Sequence, residues 1–445
     1  MADRLVVVGG DAAGMTAATN ARRGRPDLEI VVLEKGHHTS YSACGIPYVV
    51  SGAIPALDSL VVRTPQEFRD GFRIDVRTRH EVRGIDLDTR RLEVRALDQE
   101  RTIHIGFDLL HIATGARPAR PPLPGIDGPG IFGVQTLDDA QAVLDAIGGG
   151  RCRDVVVVGA GYIGLEMAEA FVRRGARVVQ LDAGAQPMGT LDPDMGAHVA
   201  RSLERFGVDL RLGAKVTGFS PGRVHTADED LAADLVVLGM GVVPNAALGT
   251  DAGLAAGARG AIRVDHRQRT SREGIYAAGD CADVLHRVSG ERVHIALGTV
   301  ANKTGRVAGT NLGGGYASFP GVLGTAITRV CEVEVARTGL SEREATAAGI
   351  EHRVGTVEST SRAGYHPAAE VLHAKVLVER GSGRLLGGQI VGADRVGKRI
   401  DALATAIWSS MTAAEFVDLD LAYAPPVATV WDPFQVAARS ALAAP

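Results

Sequence analysis

The stretch Ser40-Tyr41-Ser42-Ala43-Cys44-Gly45-Ile46-Pro47-Tyr48-Val49-Val50-Ser51-Gly52 sets one cysteine among small and apolar residues. A cysteine does redox chemistry as its thiolate, cycling through a mixed disulfide, a persulfide or a sulfenic acid. Pro47 predicts a helix that begins near Cys44, because a missing N–H is no loss in a first turn. The positive end of that helix is expected to lower the thiol pKa and favour the thiolate. The other cysteines, Cys152, Cys281 and Cys331, show neither CxxC nor metal-ligand spacing. They are read as packing or surface thiols, with no disulfide framework and no metal site expected.

A redox sulfur needs an electron supply, and two segments are patterned to hold dinucleotides. The apolar run 5–8 suits a strand buried in a parallel sheet, and leads into Gly9-Gly10-Asp11-Ala12-Ala13-Gly14 and an Ala-rich helix to Arg23. Small residues there let the backbone approach a pyrophosphate at a helix N-terminus. A strand over 30–33 ends in Glu34, where such folds offer a carboxylate to a ribose hydroxyl. Asp11 stands where the motif has its middle glycine. The unit recurs in full as a strand over 154–158, Gly159-Ala160-Gly161-Tyr162-Ile163-Gly164, a helix to about Arg174, and a strand over 177–181 leading to Asp182. An acid at Asp182 bonds a free 2′-hydroxyl and repels a 2′-phosphate, and 183–186 offer no arginine. NADH is therefore expected over NADPH.

Two further apolar strands end in small residues at a ligand surface: one delivers Ala113, Thr114 and Gly115, the other Gly279 and Asp280. From about Phe319 the pattern changes. Strands are predicted over 330–336, 374–378 and 385–391, with a turn at Gly381-Ser382-Gly383 and a helix from Asp401 to Met411. A sheet with helices and no phosphate loop reads as an interface module.

The 445 residues exceed what one core accommodates, and a net charge of −4 implies neither a nucleic-acid nor an anionic-membrane partner. No apolar run reaches the roughly 18 residues of a membrane span. Met1-Ala2-Asp3-Arg4 leads straight into the first strand and not into a signal peptide. A soluble cytoplasmic protein is expected.

In this order the motifs resemble those of the pyridine nucleotide-disulfide oxidoreductases, over essentially the whole length. More narrowly the chain is similar to their single-cysteine branch: coenzyme A-disulfide reductases, NADH oxidases and peroxidases, and persulfide reductases. Gly9 to Gly14 with Glu34, Cys44-Gly45-Ile46-Pro47-Tyr48, Ala113-Thr114-Gly115, Gly159 to Glu166, Ala278-Gly279-Asp280, Lys398-Arg399-Ile400-Asp401 and Tyr423-Ala424-Pro425-Pro426 carry the likeness. It implies an α/β fold with two Rossmann-like domains, one for FAD over 1–118 and 246–316 and one for NADH over 119–245. A C-terminal α+β dimerisation domain over 317–445 is implied, and with it a homodimer. Lys35 and Ala296 join the cofactor-binding positions, and Tyr162 is implied to cover the flavin as a lid for the nicotinamide, with Glu166 nearby.

In the two-cysteine branch a second thiol lies five residues on, where this chain has Val49. The resemblance therefore implies that electrons pass from NADH through FAD to Cys44, which reduces a small disulfide or persulfide through a mixed disulfide. Proton donors implied from the partner subunit are Tyr423 and Tyr365, with His366 read as a surface histidine. The His366-Pro367…Glu370 segment has the wrong spacing and place for a glutathione-reductase acid-base pair. Oxidases and peroxidases commonly carry a histidine in the first glycine loop, and the aligned residue here is Ala12, which favours reduction of a disulfide or persulfide. Thr16, Asn20, Arg23 and Ser40 match or nearly match coenzyme A-channel positions. Ala43 replaces the usual asparagine, Phe72 and Trp431 replace lysines, and Asn302 replaces a histidine. Arg73, beside Phe72, is the candidate to compensate. Open alternatives are an NADH oxidase or peroxidase, a reductase of an electron-carrier protein, and a redox-responsive interaction partner.

Overall fold

The computed structural model describes residues 3–148, 152–393 and 395–444. Met1 and Ala2, the start of the segment expected to run into the first strand, lie outside them. The chain opens with β1 (Arg4–Val8), α1 (Ala12–Gly24), β2 (Glu29–Leu33) and the short α2 (Ile46–Ser51), followed by β3 (Asp75–Arg77). An antiparallel meander over 80–106 precedes β4 (Leu109–Ile112). The second unit holds β5 (Ile131–Gly133), β6 (Asp154–Val158), α3 (Tyr162–Arg173), β7 (Arg177–Asp182), α4 (Pro193–Phe206), β8 (Val208–Leu212) and β9 (Leu235–Leu238). The chain then returns through β10 (Ile275–Ala277) and α5 (Gly298–Leu312).

Two five-stranded parallel sheets result, in the orders β10-β4-β1-β2-β3 and β8-β7-β6-β9-β5. Their central strands are the apolar runs seen in the sequence, and Leu5, Val6, Val7, Val156 and Val157 have no exposure to solvent. Burial on both faces explains why these strands lack the polar alternation of an open sheet.

In the first unit α1 and α5 run parallel and touch backbone to backbone. A Cβ placed on Gly305 would lie 2.5 Å from Ala13 O, one on Gly309 2.3 Å from Ala17 O, and one on Gly313 3.1 Å from Ala21 O. Glycines four apart on one helix thus face alanines four apart on the other, one turn per step.

The C-terminal unit is an antiparallel sheet of β11 (Ala326–Val330), β12 (Val333–Gly339), β13 (His352–Thr360), β14 (Val371–Glu379) and β15 (Leu385–Gly392), in the order β11-β12-β15-β14-β13. The helices Ile400–Trp408 and α6 (Pro433–Ala443) pack on it. The single strand expected over 330–336 is instead a hairpin: Val330 pairs with Val333, and Cys331 turns the chain at φ 55°. A two-residue turn there has no glycine or asparagine to announce it. The helix expected to reach Met411 ends at Trp408, with Ser410 at φ 56°. Among the described residues no helix is long and apolar enough to cross a membrane.

Candidate active site

The two glycine loops are built alike. Gly9 has φ 105° and a Cβ there would lie 2.1 Å from Ala113 O, while one on Gly14 would lie 1.9 Å from Gly9 O. Gly159 has φ 106° with Gly239 O 2.3 Å from its would-be Cβ, and a Cβ on Gly164 would lie 2.1 Å from Gly159 O. Only glycine fits these positions. At Gly161 a Cβ would find no atom nearer than 4.0 Å, so the loop's middle position faces open space where a pyrophosphate can approach. Ala12 and Ala13 open α1, and Tyr162 and Ile163 open α3.

The terminal acids repeat one pattern. Glu34 Oε2 accepts the Gly10 amide and Oε1 the Gly36 amide, both at 2.7 Å. Asp182 Oδ2 accepts the Ala160 amide at 2.6 Å and Oδ1 the Gly184 amide at 2.7 Å. Each carboxylate is therefore oriented by backbone while keeping lone pairs for a ribose. Lys35 turns outward to Glu81, 2.9 Å away. Thr114 Oγ1 donates to Asn245 O at 2.6 Å and Asn245 Nδ2 donates back to Thr114 O at 3.0 Å, holding the turn at Gly115, where φ is 67°. Gly279, at φ 77°, lies against Ala13, and Ala296 precedes the start of α5. Asp280 Oδ1 is buried without a hydrogen-bond partner, and burial pushes its carboxyl up. A buried acceptor left open beside the first glycine loop fits a cofactor that brings its own hydroxyl or N–H.

Cys44 lies in a 3₁₀ turn, Ala43–Gly45, at the mouth of this cradle and is exposed. Helix α2 starts only at Ile46, with Pro47 in its first turn as expected. The expected fall in the thiol pKa does not occur: desolvation by the surrounding protein pushes it up, and Glu166, Asp11 and Asp280 add to the rise. A six-residue helix that begins beyond the cysteine cannot outweigh three acids facing it. Val49, five residues on, is buried in the core.

The cysteine loop is stitched to the first glycine loop. Ser40 N donates to Gly10 O at 2.9 Å, Tyr41 N to Asp11 Oδ1 at 3.2 Å, and the buried Thr39 hydroxyl also reaches Gly10 O. Asp11 has a reason to be there that the glycine motif hides: its side chain anchors Tyr41. Burial raises its carboxyl to about 6, with Glu34 and Asp280 adding to the rise against the Tyr41 and Ala12 amides.

Glu166, on α3, accepts a hydrogen bond from Thr328 Oγ1 of β11 at 2.6 Å, and burial raises its carboxyl. Tyr162 is raised by burial, with Arg337 and Thr190 acting against the rise. Thr16 Oγ1 donates to Asn302 Oδ1 at 3.0 Å across the α1–α5 contact, and Asn20 Nδ2 donates to Thr16 O at 2.8 Å. Arg23 is exposed on the same helix, and Ser40, at φ 49°, gives its carbonyl to Val62 N at 2.8 Å.

The cation expected at Phe72 is a different one. Arg73 turns away to Pro26 O at 3.1 Å, whereas Arg63 stands 5.1 Å over the Phe72 ring. Trp431 carries Arg439 at 5.2 Å. Tyr365 and Tyr423 are exposed and lie beside each other, and His366 Nδ1 accepts the Ala368 amide at 3.1 Å. Arg63, Asn245 and Thr328 escape the sequence reading because each meets its partner through the fold, with no motif to mark it.

The family model described as pyridine nucleotide-disulphide oxidoreductase matches residues 3–305, and that of its dimerisation domain matches residues 325–433. The NAD(P)H sulfur oxidoreductase (CoA-dependent) of Pyrococcus abyssi is 39% identical over 98% of this chain and 97% of its own length. The NADH oxidase of Methanocaldococcus jannaschii is 36% identical over 99% of this chain and 98% of its own. The solved NAD-dependent persulfide reductase from A. fulgidus superposes with a TM-score of 0.94 at 38% identity, covering 99% of this chain and 83% of that one. With its paired dinucleotide cradles and C-terminal sheet, the chain belongs to the pyridine nucleotide-disulphide oxidoreductase family, as an NAD(P)H-dependent flavoenzyme that uses FAD.

Proposed function

We propose that this enzyme, as a homodimer, uses NADH to reduce a low-molecular-weight disulfide or persulfide at Cys44. The observation that carries the reading is an exposed Cys44 beside the flavin-loop residues, with buried Val49 where a second thiol would stand. Bound NADH and FAD supply the two electrons. The Cys44 thiolate attacks one sulfur of R–S–S–R and releases RS⁻, leaving Cys44–S–S–R; two electrons then cleave that bond to regenerate the thiolate and a second RS⁻. With a persulfide, attack on the outer sulfur releases RS⁻ and reduction of Cys44–S–SH releases sulfide.

Each thiolate that leaves takes up a proton, and the neighbouring Tyr365 and Tyr423 on the exposed face of the C-terminal unit are suited to donate it to the partner's site. Arg63 over Phe72 and Arg439 over Trp431 restore a guanidinium at each position where lysines are replaced. That supports a phosphate-bearing thiol such as coenzyme A, and the name of the Pyrococcus relative agrees with it.

The test is anaerobic titration with NADH followed by turnover with coenzyme A disulfide and persulfide. Wild type first converted to the Cys44–S–S–R form with coenzyme A disulfide is expected to take up two electrons beyond those of FAD and to reduce these substrates. Cys44→Ser is expected to lose both properties and to keep FAD. Because the thiol is raised, the rate of disulfide attack should climb as the pH passes about 8.5, the ordinary thiol value. Fast turnover of NADH with oxygen and none with disulfides would make the chain an oxidase, the activity named for the Methanocaldococcus relative.

A further inference from the structure

Glu166 is held by a residue from outside its own sheet. We propose that Thr328 is a positioning residue for the nicotinamide and cysteine site, its hydroxyl fixing the Glu166 carboxylate between Tyr162 and Cys44. The inference rests on the proposed function, in which those two residues flank the flavin.

Thr328 is 7% exposed and donates to Glu166 Oε1 at 2.6 Å. Three residues later on the same hairpin, the Cys331 amide donates to Glu169 Oε2 at 2.8 Å. Glu166 and Glu169 are three apart on α3 and share a face, so the hairpin grips both acids of that face at once. Cys331 reaches Glu169 from the left-handed turn at φ 55°, a conformation that a non-glycine residue adopts only where the surroundings enforce it.

The groups that face Glu166 are Glu169 on its own helix, Tyr162 at the start of that helix, and Cys44 and Tyr48 from the cysteine loop. Arg329 acts on Tyr48. No ion pair to Glu166 is found among the described residues, so the Thr328 hydroxyl is the polar partner that holds the carboxylate against burial. Donation to a carboxylate favours its charged form. Without it the Glu166 carboxylate is free to turn away from Cys44 and raises the thiol less.

The test compares Thr328→Val, which keeps the shape and removes the donor, with Thr328→Ser, which keeps the donor; Thr328→Ala replaces valine if the sheet is disturbed. In the FAD-loaded enzyme, the pH midpoint of Cys44 alkylation is read on the Cys44 peptide by mass spectrometry, and KM and kcat for NADH are measured alongside. Valine is expected to lower the alkylation midpoint and to raise KM several-fold with a smaller change in kcat, and serine to restore both. An unchanged midpoint and KM in the valine variant overturns the proposal, as does failure of serine to restore them. Glu166→Gln separates the levels. If it moves the midpoint while valine does not, only the role of Thr328 fails; if it moves neither quantity, the placement of Glu166 beside the nicotinamide and Cys44 fails as well.

Discussion

Asp182 Oδ2 accepts the Ala160 amide at 2.6 Å, so the acid after the second strand is locked to the second residue of its own glycine loop. A charge fixed there cannot swing aside for a 2′-phosphate. Catalytic efficiency with NADH is expected to exceed that with NADPH by at least about tenfold, equivalent to about 1.4 kcal/mol. Asp182→Ala is expected to narrow the ratio, chiefly through a higher KM for NADH. Steady-state kinetics with both nucleotides check this, and equal efficiencies in the wild type would contradict it.

Asp11 makes stability depend on pH in an unusual direction for an acid. Its carboxyl is raised to about 6 in the folded chain, so its contribution is fully present below the unfolded value of about 3.9 and is lost as pH climbs through about 6. Asp11→Asn keeps an oxygen for the Tyr41 amide without the charge. It is expected to gain less than about 1 kcal/mol over wild type near pH 4.5 and roughly 2–3 kcal/mol near pH 8. Denaturant melts at the two pH values decide it, and a gain independent of pH would assign the effect to packing.

Lys375 sits 2% exposed on β14, with Nζ 2.9 Å from Asp194 Oδ1, 3.3 Å from Asp192 Oδ2 and in contact with Glu342. The three acids lie close enough together to hold a metal ion, and the ammonium occupies their centre. Lys375→Met leaves the buried Asp192 carboxylate without its ammonium, beside the more open Asp194 and Glu342, and is expected to cost about 3 kcal/mol. Thermal unfolding of the variant beside wild type checks this. A variant as stable as wild type at neutral pH would show the cluster to be solvated.

Arg63 is the cation above Phe72. If the thiol carries phosphates, Arg63→Ala should raise KM for coenzyme A disulfide by about tenfold while leaving that for a small uncharged disulfide within about twofold. Equal effects on both substrates would point to a packing role for the guanidinium.

The parallel sheets and their glycine loops were legible because the constraint is local: an apolar strand, a turn only glycine can make, and an acid at a fixed distance. Cys44 was legible as a position but not in its acidity. The helix signal from Pro47 was real, yet helix α2 begins past the sulfur, and the acids that raise the thiol come from positions 11, 166 and 280. The same limit hid Arg63, which reaches Phe72 through the fold while the sequence neighbour Arg73 turns away. At 330–336 a strand-like alternation of apolar and acidic residues concealed a reversal, because Cys331 makes the turn without a turn residue.

The contact between α1 and α5 divides the first unit into positions open and closed to redesign. At Gly305 and Gly309 even one methyl would collide with main-chain atoms of the facing helix, which itself begins at the glycine loop. Thr16, Asn20 and Asn302 lie on the same helices but stand partly or fully in solvent. Combinatorial libraries for new thiol substrates should therefore be written on those outward residues, with the inner row left untouched as the chassis on which every variant is mounted.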